Sequence, residues 1–366
     1  MHISNISGHR GASLAIERAL HVLDEDIQTY VLNAFSYTHP FVEHIINTLY
    51  MFVIKKMPQF WEYLYDNENV FRRLKKIRDS IHRLSDKKLT KLLENFAPDV
   101  IVCTQAFPCG MIADYKRRHG LTTPLVGILT DYTVHGYWLH EQVNTYIVAA
   151  IQTKQDFIRR GVEDRRIKVI GIPIDPKFAR PNNRQEIFRR LNLNPDSPII
   201  LIMGGGQGMG PIRDIICLLD KIAYPAQVVV VCGINNSLLK WLNENKNTFK
   251  KSVHILGYTE KIDELMSIAA LIITKPGGLT SAEALSKSLP IIIIHPLPGQ
   301  EIRNTRFLLD SGVALKTDNI TLLPSLIEDL LNNREKLDKM KEKAVGLACP
   351  DSALQIAQLI LEKVKQ

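Results

Sequence analysis

Cysteine is scarce in this sequence, and it does not occur in the spacings that bind zinc or form disulfide frameworks. The five cysteines are odd in number, and neither a Cys-x-x-Cys pair nor a His-Glu-x-x-His motif is present. These absences argue against a disulfide-stabilised secreted domain and against the common zinc sites. We therefore expect reduced, packed thiols in a cytosolic protein and no bound metal.

Long hydrophobic runs are also lacking. The first residues, MHISNISGHRGAS, contain neither the basic region nor the apolar core of a signal peptide. The longest apolar stretch outside the predicted strands runs from Phe41 to Ile54, covers 14 residues and includes Glu43 and His44. Because a membrane-spanning helix needs about 20 residues, the sequence predicts no span.

The composition is that of a globular protein. The chain has 366 residues, of which 45% are hydrophobic and 23% charged, so a disordered or fibrous protein is excluded. At roughly 150 residues per domain, this length predicts two domains. The formal net charge of +8 suits an anionic partner: nucleic acid, an acidic membrane surface or a phosphate-bearing substrate.

Part of this positive charge is concentrated between residues 55 and 91, where 11 Lys and Arg stand against 5 Asp and Glu. Basic side chains interleaved with aromatics, next to the apolar segment 41–54, are typical of a helix that lies in an anionic membrane interface. The alternative is a solvated helix face beside ordinary core aromatics. The residues that we select from this window are Lys55, Lys56, Trp61, Arg72 and Arg73.

Short β-branched runs alternate with helical stretches, which is the pattern of an α/β fold with parallel sheets. The predicted strands are Val100–Cys103, Leu125–Leu129, Thr145–Val148, Lys168–Ile170, Ile199–Met203, Gln227–Cys232, Val253–Leu256, Leu271–Thr274 and Ile291–Ile294. A polar, proline-punctuated stretch separates the first four runs from the rest. We predict two Rossmann-like domains, residues 1–172 and 199–350, joined by a linker over 173–198.

Two glycine-rich loops follow predicted strands of the second domain: GGGQGMG at 204–210 and KPGGLT at 275–280. Glycine lets a backbone approach a phosphate closely, and a helix that begins in such a loop presents unpaired N–H groups. Because the carboxyl ends of parallel strands meet at one crevice, the two loops together indicate a nucleotide diphosphate site. Neither loop has the Walker or GxGxxG pattern, so a P-loop NTPase is not indicated.

Polar residues close to these loops have two interpretations each. Glu283 stands three residues after Thr280, which is the spacing of a capping box, but its carboxylate could also accept hydrogen bonds from ribose hydroxyls. Gln300, Glu301 and Asn304 follow the last predicted strand. Their amides and carboxylate could bind sugar hydroxyls, or they could belong to an ordinary polar loop.

In the first domain, His9 lies in a glycine-flanked stretch ahead of a predicted helix over 12–23. Histidine has an unperturbed pKa of about 6.5, so His9 could serve as a general base, the alternative being a structural histidine. Asp131, His135 and Trp138 occur in TDYTVHGYW, directly after a predicted strand. Asp131 and His135 have no third partner at metal-ligand spacing.

Taken in chain order, these motifs resemble the glycolipid-forming glycosyltransferases of family 28: monogalactosyldiacylglycerol synthase and processive diacylglycerol glucosyltransferase, with the lipid II-forming glycosyltransferase more distant. One departure is that only MHISNIS precedes Gly8-His9, where the family usually has a full apolar strand. The resemblance covers nearly the whole chain. It is carried by SGHRGAS at 7–13, the segment from Tyr50 through Pro58 and Trp61 to Tyr65, TDYTVHGYW at 130–138, GIPIDPKF at 171–178, GGGQG at 204–208, VVVVCG at 228–233, GYTEKIDEL at 257–265, KPGGLTSAEAL at 275–285 and PGQEIRN at 298–304.

The resemblance implies a GT-B fold, in which two Rossmann-like domains face a central cleft and the final helix, 351–366, crosses back onto the first domain. The first domain would take a lipid acceptor and the second a UDP-sugar. The implied reaction is inverting transfer of glucose or galactose to 1,2-diacylglycerol, once or processively, giving a β-monohexosyldiacylglycerol. We expect a cytoplasmic enzyme, peripheral on the inner face of the cell membrane, with anionic lipids as partners, no nucleic acid and no cofactor.

The resemblance also implies residue roles. His9 would be the base, and Asp131 would orient it or contact the acceptor. Tyr258 would lie beside uracil, Glu283 at the ribose, and the polar residues after the last strand around the hexose and phosphate. The acceptor and membrane residues would be His135, Trp138, Trp61, Lys55, Lys56, Arg72 and Arg73. The donor-binding residues would be Gly204, Gly205, Gly206, Tyr258, Lys275, Gly277, Gly278, Thr280, Glu283, Gln300, Glu301 and Asn304.

Three alternatives stay open. A related GT-B enzyme could act on a polyprenyl-diphosphate acceptor, a UDP-sugar 2-epimerase could share the fold without needing lipid, and a non-catalytic protein could sense nucleotide sugars. The basic aromatic window at 55–91 argues against the epimerase, since a soluble substrate gives no reason for it. The presence of both His9 and Asp131 argues against the sensor.

Overall fold

The computed structural model describes residues 1–3, 7–38 and 68–364, with the backbone alone for residues 68–78. Its contacts divide the chain into two compact units. Unit 1 comprises Met1–Pro176, Leu297–Arg303 and Asp351–Gln366, and unit 2 comprises Lys177–Pro296 and Asn304–Pro350.

The strands belong to two parallel sheets, one in each unit. They are Ile101–Cys103 (β1), Leu125–Ile128 (β2), Thr145–Val148 (β3), Ile167–Val169 (β4), Ile199–Met203 (β5), Gln227–Val231 (β6), Val253–Leu256 (β7), Leu271–Thr274 (β8), Ile291–Ile293 (β9) and Ala314–Lys316 (β10). Helices alternate with these strands, so the predicted α/β class is confirmed.

The described α-helices are Gly8–Leu23 (α1), Ala34–Thr38 (α2), Glu68–Phe96 (α3), Ala106–His119 (α4), Ile151–Arg159 (α5), Arg184–Arg190 (α6), Ile212–Leu219 (α7), Asn236–Asn245 (α8), Ile262–Ile268 (α9), Gly278–Ser286 (α10), Gln300–Asp310 (α11), Leu323–Asn332 (α12), Arg334–Leu347 (α13) and Ser352–Val364 (α14). Short 3₁₀ turns join several of them, including Gly136–Trp138 after β2.

The sheet of unit 1 has the order β1-β2-β3-β4, and all its neighbours pair in parallel. β2 and β3 are buried at every position, because apolar clusters cover both faces of the sheet. Beside β1, the Thr104 N–H donates to the Met1 carbonyl (3.1 Å), and His2 pairs with Asn33. Met1 therefore lies beside the end of β1, and His2 continues away from it toward Asn33.

The last helix, α14, packs on α1 in unit 1. The two helices bury Ala15 and Ala19 against a cluster that includes Ala353 and Ala357. Small residues four positions apart lie on one helix face and let two backbones approach closely. The end of the chain therefore completes one face of the sheet of unit 1.

By length and composition, one helical stretch of the described chain, Arg334–Val364, could cross a membrane. The structure divides this stretch into α13 and α14, and the chain turns away from the helix at Ala348. Ala353, Ile356, Ala357 and Ile360 of α14 are buried in unit 1, so packing within the protein accounts for one apolar face of this helix.

The sheet of unit 2 has the order β10-β9-β8-β5-β6-β7, again all parallel. The chain runs outward from β5 to β7, returns to β8 beside β5, and then runs outward on the other side. The strand order thus reverses between β5 and β8, and the crevice at such a reversal is where open α/β sheets bind ligands. Four predicted strands, β3, β5, β7 and β8, have the bounds that the sequence predicts.

The segment after Pro176 packs onto unit 2. Asn182 donates to the Asp263 carboxylate (3.0 Å) and accepts from the Lys287 ammonium (2.7 Å), while Arg190 pairs with Glu264. These contacts place residues 177–198, most of the predicted linker, within the second unit.

Candidate active site

His9 is the second residue of α1, at the carboxyl edge of the sheet of unit 1. The helix begins at Gly8 because Ser7 caps it: the Ser7 hydroxyl accepts from the Arg10 N–H at 3.3 Å. Thr104 follows β1 directly and Thr130 follows β2 after one residue, and both contact His9. The first turn of the helix and the ends of two strands therefore meet at the His9 ring.

One ring nitrogen of His9 carries both contacts. Nδ1 lies 3.0 Å from the Thr104 carbonyl oxygen and 2.7 Å from Thr130 Oγ1. A carbonyl oxygen only accepts hydrogen bonds, so its contact with Nδ1 is a hydrogen bond in the tautomer that has the proton on Nδ1, and that tautomer leaves the lone pair of the neutral ring on Nε2. In this tautomer Nε2 is the atom that can accept a proton from a substrate.

The other selected residues of unit 1 lie in the loop after β2. Asp131 follows Thr130, at the same sheet edge as the partners of His9. His135 accepts from the Tyr137 N–H (3.3 Å) and stacks on the Tyr137 ring. Trp138 is 5% exposed and packs in the core beneath α4, so we leave it out of the proposed acceptor site.

The predicted membrane residues cannot be placed in the same way. Lys55, Lys56 and Trp61 lie outside the described residues, and Arg72 and Arg73 lie in α3 within the stretch whose side chains are not described. Their proposed role stays a prediction from the sequence.

The first glycine loop of unit 2, after β5, is tightly folded. The Met209 N–H donates to the Gly204 carbonyl at 2.9 Å, and a Cβ at Gly204 would lie 2.1 Å from the Met209 oxygen. Gly205 has a φ of +68°, and a Cβ there would lie 3.1 Å from Cε of Lys275. The loop therefore requires glycine, and the side chain of Lys275 runs directly beside it.

The second glycine loop opens α10 earlier than a capping box at Thr280 would require. The helix begins at Gly278 with Gly277 as its N-cap, and glycine has no side chain with which to cap it. Thr280 is thus the third residue of the helix and Glu283 the sixth, so the capping-box interpretation of Glu283 is wrong. The first N–H groups of α10 have no intrahelical acceptor, and they lie at the positive end of the helix dipole.

These two loops follow β8 and β5, the two strands between which the order reverses. Both sheet neighbours therefore end in glycine-rich turns with Lys275 between them. Backbone N–H groups, a helix N-terminus and one ammonium form an arrangement suited to a diphosphate. Tyr258, two residues after the edge strand β7, is 62% exposed.

The three polar residues that we selected after β9 are divided between the two units: Gln300 and Glu301 belong to unit 1, and Asn304 belongs to unit 2. The Glu301 carboxylate accepts from the Leu297 N–H at 2.9 Å, within its own loop, and Gln300 is the first residue of α11. Asn304 is fully buried, and its amide donates to the Pro276 carbonyl at 3.1 Å. Asn304 therefore holds the second glycine loop, a contact that the sequence did not predict.

Sequence reasoning also missed Thr104 and Thr130. A signal was available, since each follows a predicted strand, but neither residue type is distinctive by itself. Among the residues that the structure describes, no group of three or more His, Cys, Asp or Glu side chains is arranged to hold a metal ion.

Two protein-family models match this chain. The model of the monogalactosyldiacylglycerol (MGDG) synthase family matches residues 9–174, and the model of the glycosyltransferase family 28 C-terminal domain matches residues 199–358. A processive diacylglycerol beta-glucosyltransferase of Bacillus licheniformis is 31% identical over 333 residues, covering 91% of this chain and 86% of that protein.

Solved structures share the fold. MurG of Acinetobacter baumannii matches with a TM-score of 0.59 at 19% identity, covering 78% of this chain and 79% of that one. The UDP-GlcNAc 2-epimerase of Neisseria meningitidis, bound to UDP-GlcNAc, matches with a TM-score of 0.59 at 15% identity, covering 78% and 82%. At such identities these structures bear on the fold alone.

Proposed function

Because this chain belongs to the glycosyltransferase family that includes the processive diacylglycerol β-glucosyltransferases, we propose that it transfers a hexose from a UDP-sugar to 1,2-diacylglycerol. The transfer inverts the configuration at C1 and gives a β-monohexosyldiacylglycerol. We propose glucose as the hexose, since the 31%-identical relative is named for glucose transfer.

The observation that carries the donor half of this proposal is the pair of glycine loops at the ends of β5 and β8. Lys275 lies against Gly205, and α10 starts without a side-chain cap. In the proposed complex these groups bind the diphosphate of UDP, Glu283 binds the ribose and Tyr258 lies beside the uracil. Because the groups are fixed before the reaction, they stabilise the charge that develops on the leaving diphosphate.

The acceptor half of the proposal depends on His9. Its Nε2 takes the proton from the free hydroxyl of diacylglycerol while that oxygen forms a bond to C1 of the sugar. The bond between C1 and the β-phosphate oxygen breaks on the opposite face, and its electron pair leaves with UDP. We assign to Asp131, which follows Thr130 in the chain, contact with the acceptor or balance of the charge of the imidazolium.

This mechanism assigns charge stabilisation to the protein itself, so we propose that it needs no metal ion. Activity measured with excess EDTA should equal activity without it. A loss of activity in EDTA that Mg²⁺ or Mn²⁺ restores would contradict this assignment.

The test of the reaction is UDP release from UDP-glucose, with and without diacylglycerol in anionic liposomes. Release that requires diacylglycerol, with a new glycolipid on thin-layer chromatography, supports the proposal, and a parallel incubation with UDP-galactose tests the choice of hexose. Activity only with a polyprenyl diphosphate, or lipid-independent conversion of UDP-GlcNAc, would overturn it in favour of the related transferase or the epimerase.

A further inference from the structure

We propose that Thr104 is the positioning residue of His9: it holds the imidazole in the tautomer that a base requires. The inference rests on the proposed function, in which His9 is the base. Thr104 is fully buried directly after β1, so it is fixed to the sheet rather than to the helix that carries His9.

Thr104 contacts both the backbone and the ring of His9. Its hydroxyl lies 2.9 Å from the His9 carbonyl oxygen, and its own carbonyl oxygen lies 3.0 Å from His9 Nδ1. The backbone and the ring of the same residue are thus attached to one residue of the sheet. A rotation of the ring would break one contact, and a shift of the helix turn would break the other.

Ser13 extends this arrangement by one turn of α1. Its Oγ lies 2.9 Å from Thr104 Oγ1. The Thr104 hydroxyl has two carbonyl acceptors, that of His9 at 2.9 Å and that of Met1 at 3.4 Å. Both can only accept, so the single Thr104 hydrogen goes to them and the Ser13 hydroxyl donates to Thr104. Thr104 therefore has a defined orientation before any substrate binds.

The chemical consequence concerns the two ring nitrogens. With a proton on Nδ1, the Thr104 carbonyl accepts from it, whereas the other tautomer would set a nitrogen lone pair against an oxygen lone pair. After Nε2 takes a proton, the carbonyl and Thr130 Oγ1, 2.7 Å from Nδ1, still stabilise the positive ring. Two neutral oxygens at Nδ1 thus perform the orienting task that a carboxylate performs in serine hydrolases.

The kinetic test compares three variants. Thr104→Val keeps the shape but removes the hydroxyl, and we expect kcat to fall by on the order of 10–100-fold, the cost of a misplaced catalytic group, with the donor KM unchanged. Thr104→Ser should restore most of the lost kcat. Thr153→Val is the matched control, because Thr153 is also fully buried and its hydroxyl donates to a backbone carbonyl, that of Tyr132, at 2.6 Å.

A spectroscopic test does not depend on the substrate. Nitrogen NMR of protein labelled with ¹⁵N-histidine, with the His9 signals assigned by their loss in His9→Gln, should show a protonated Nδ1 and an unprotonated Nε2. Thr104→Val keeps the backbone carbonyl that accepts from Nδ1, so the tautomer should persist, whereas the Nδ1 signal should shift because the hydroxyl bond to the His9 backbone is lost.

The outcomes separate the two proposals. A protonated Nε2 in the parent, an unchanged kcat in Thr104→Val, or an equal loss in Thr153→Val overturns the role of Thr104. If the parent fails to glycosylate diacylglycerol but shows the expected tautomer, the proposed acceptor is wrong and the positioning of His9 stands.

Discussion

At the scale of single residues, His9 is the side chain with the most direct proposed role. His9→Ala should lower turnover by about 10²–10⁴-fold, the usual contribution of a general base, while leaving the Kd for UDP unchanged. Steady-state kinetics and calorimetry measure the two quantities. A turnover within about tenfold of the parent would remove His9 from this role.

Glu283 is the second residue that the structure clarifies. Since α10 begins at Gly278, Glu283 is not needed as a cap, and we predict that Glu283→Ala raises the KM for UDP-sugar by about 10-fold or more, the value of hydrogen bonds to a charged group. An unchanged KM would mean that Glu283 does not bind the ribose.

At the scale of elements, the glycine loop after β5 depends on a backbone conformation that glycine adopts readily and other residues do not. Gly205→Ala places a side chain at a φ of +68° and against Lys275, so we expect a cost of about 1–2 kcal/mol in stability and weaker UDP binding. Gly346→Ala is the control, because a Cβ there meets nothing within 4 Å and Gly346 lies in α13. It should stabilise the protein by up to about 1 kcal/mol without changing the Kd for UDP.

The contact between α3 and α4 leads us to predict that the free energy of unfolding depends on pH. Asp86 on α3 accepts from Arg118 Nε (2.9 Å) and contacts His119 Nε2 (3.0 Å) on α4. Burial alone would raise the pKa of Asp86, but the hydrogen bonds and charges of Arg118 and His119 outweigh it and hold that pKa below its ordinary value.

A lowered carboxyl pKa contributes stability above the unfolded pKa of about 3.9 and loses it as the pH falls. The stabilisation of the parent relative to Asp86→Asn should therefore shrink as the pH falls below about 4. Urea unfolding at several pH values measures it. A difference that grows in acid would contradict this assignment.

At the scale of the whole molecule, the net charge of +8 supports a proposed location at anionic membrane surfaces. We expect sedimentation with vesicles containing anionic lipid, weakened by salt because the Debye length is about 10 Å at 0.1 M. Replacing Lys55 and Lys56 by Glu should reduce the bound fraction without changing UDP binding. Equal binding to neutral vesicles would contradict the electrostatic component.

Much of the architecture was accessible from the sequence. Continuous β-branched runs predicted nine of the described strands within one or two residues, because strands buried on both faces admit only apolar side chains. The strand Ala314–Lys316 was missed, since three residues that end in lysine carry little of that pattern. The family resemblance is confirmed by the matches to both halves of the chain.

The sequence by itself determined the α/β class, the two glycine loops and the identity of His9 as a candidate base, because these depend on local residue type and spacing. Only the tertiary structure decided which groups meet: Thr104 and Thr130 at the His9 ring, Lys275 beside Gly205, and Asn304 at Pro276. The partners of each pair are at least 28 residues apart in the chain. Strand order and helix packing bring them together, and no local pattern records that pairing.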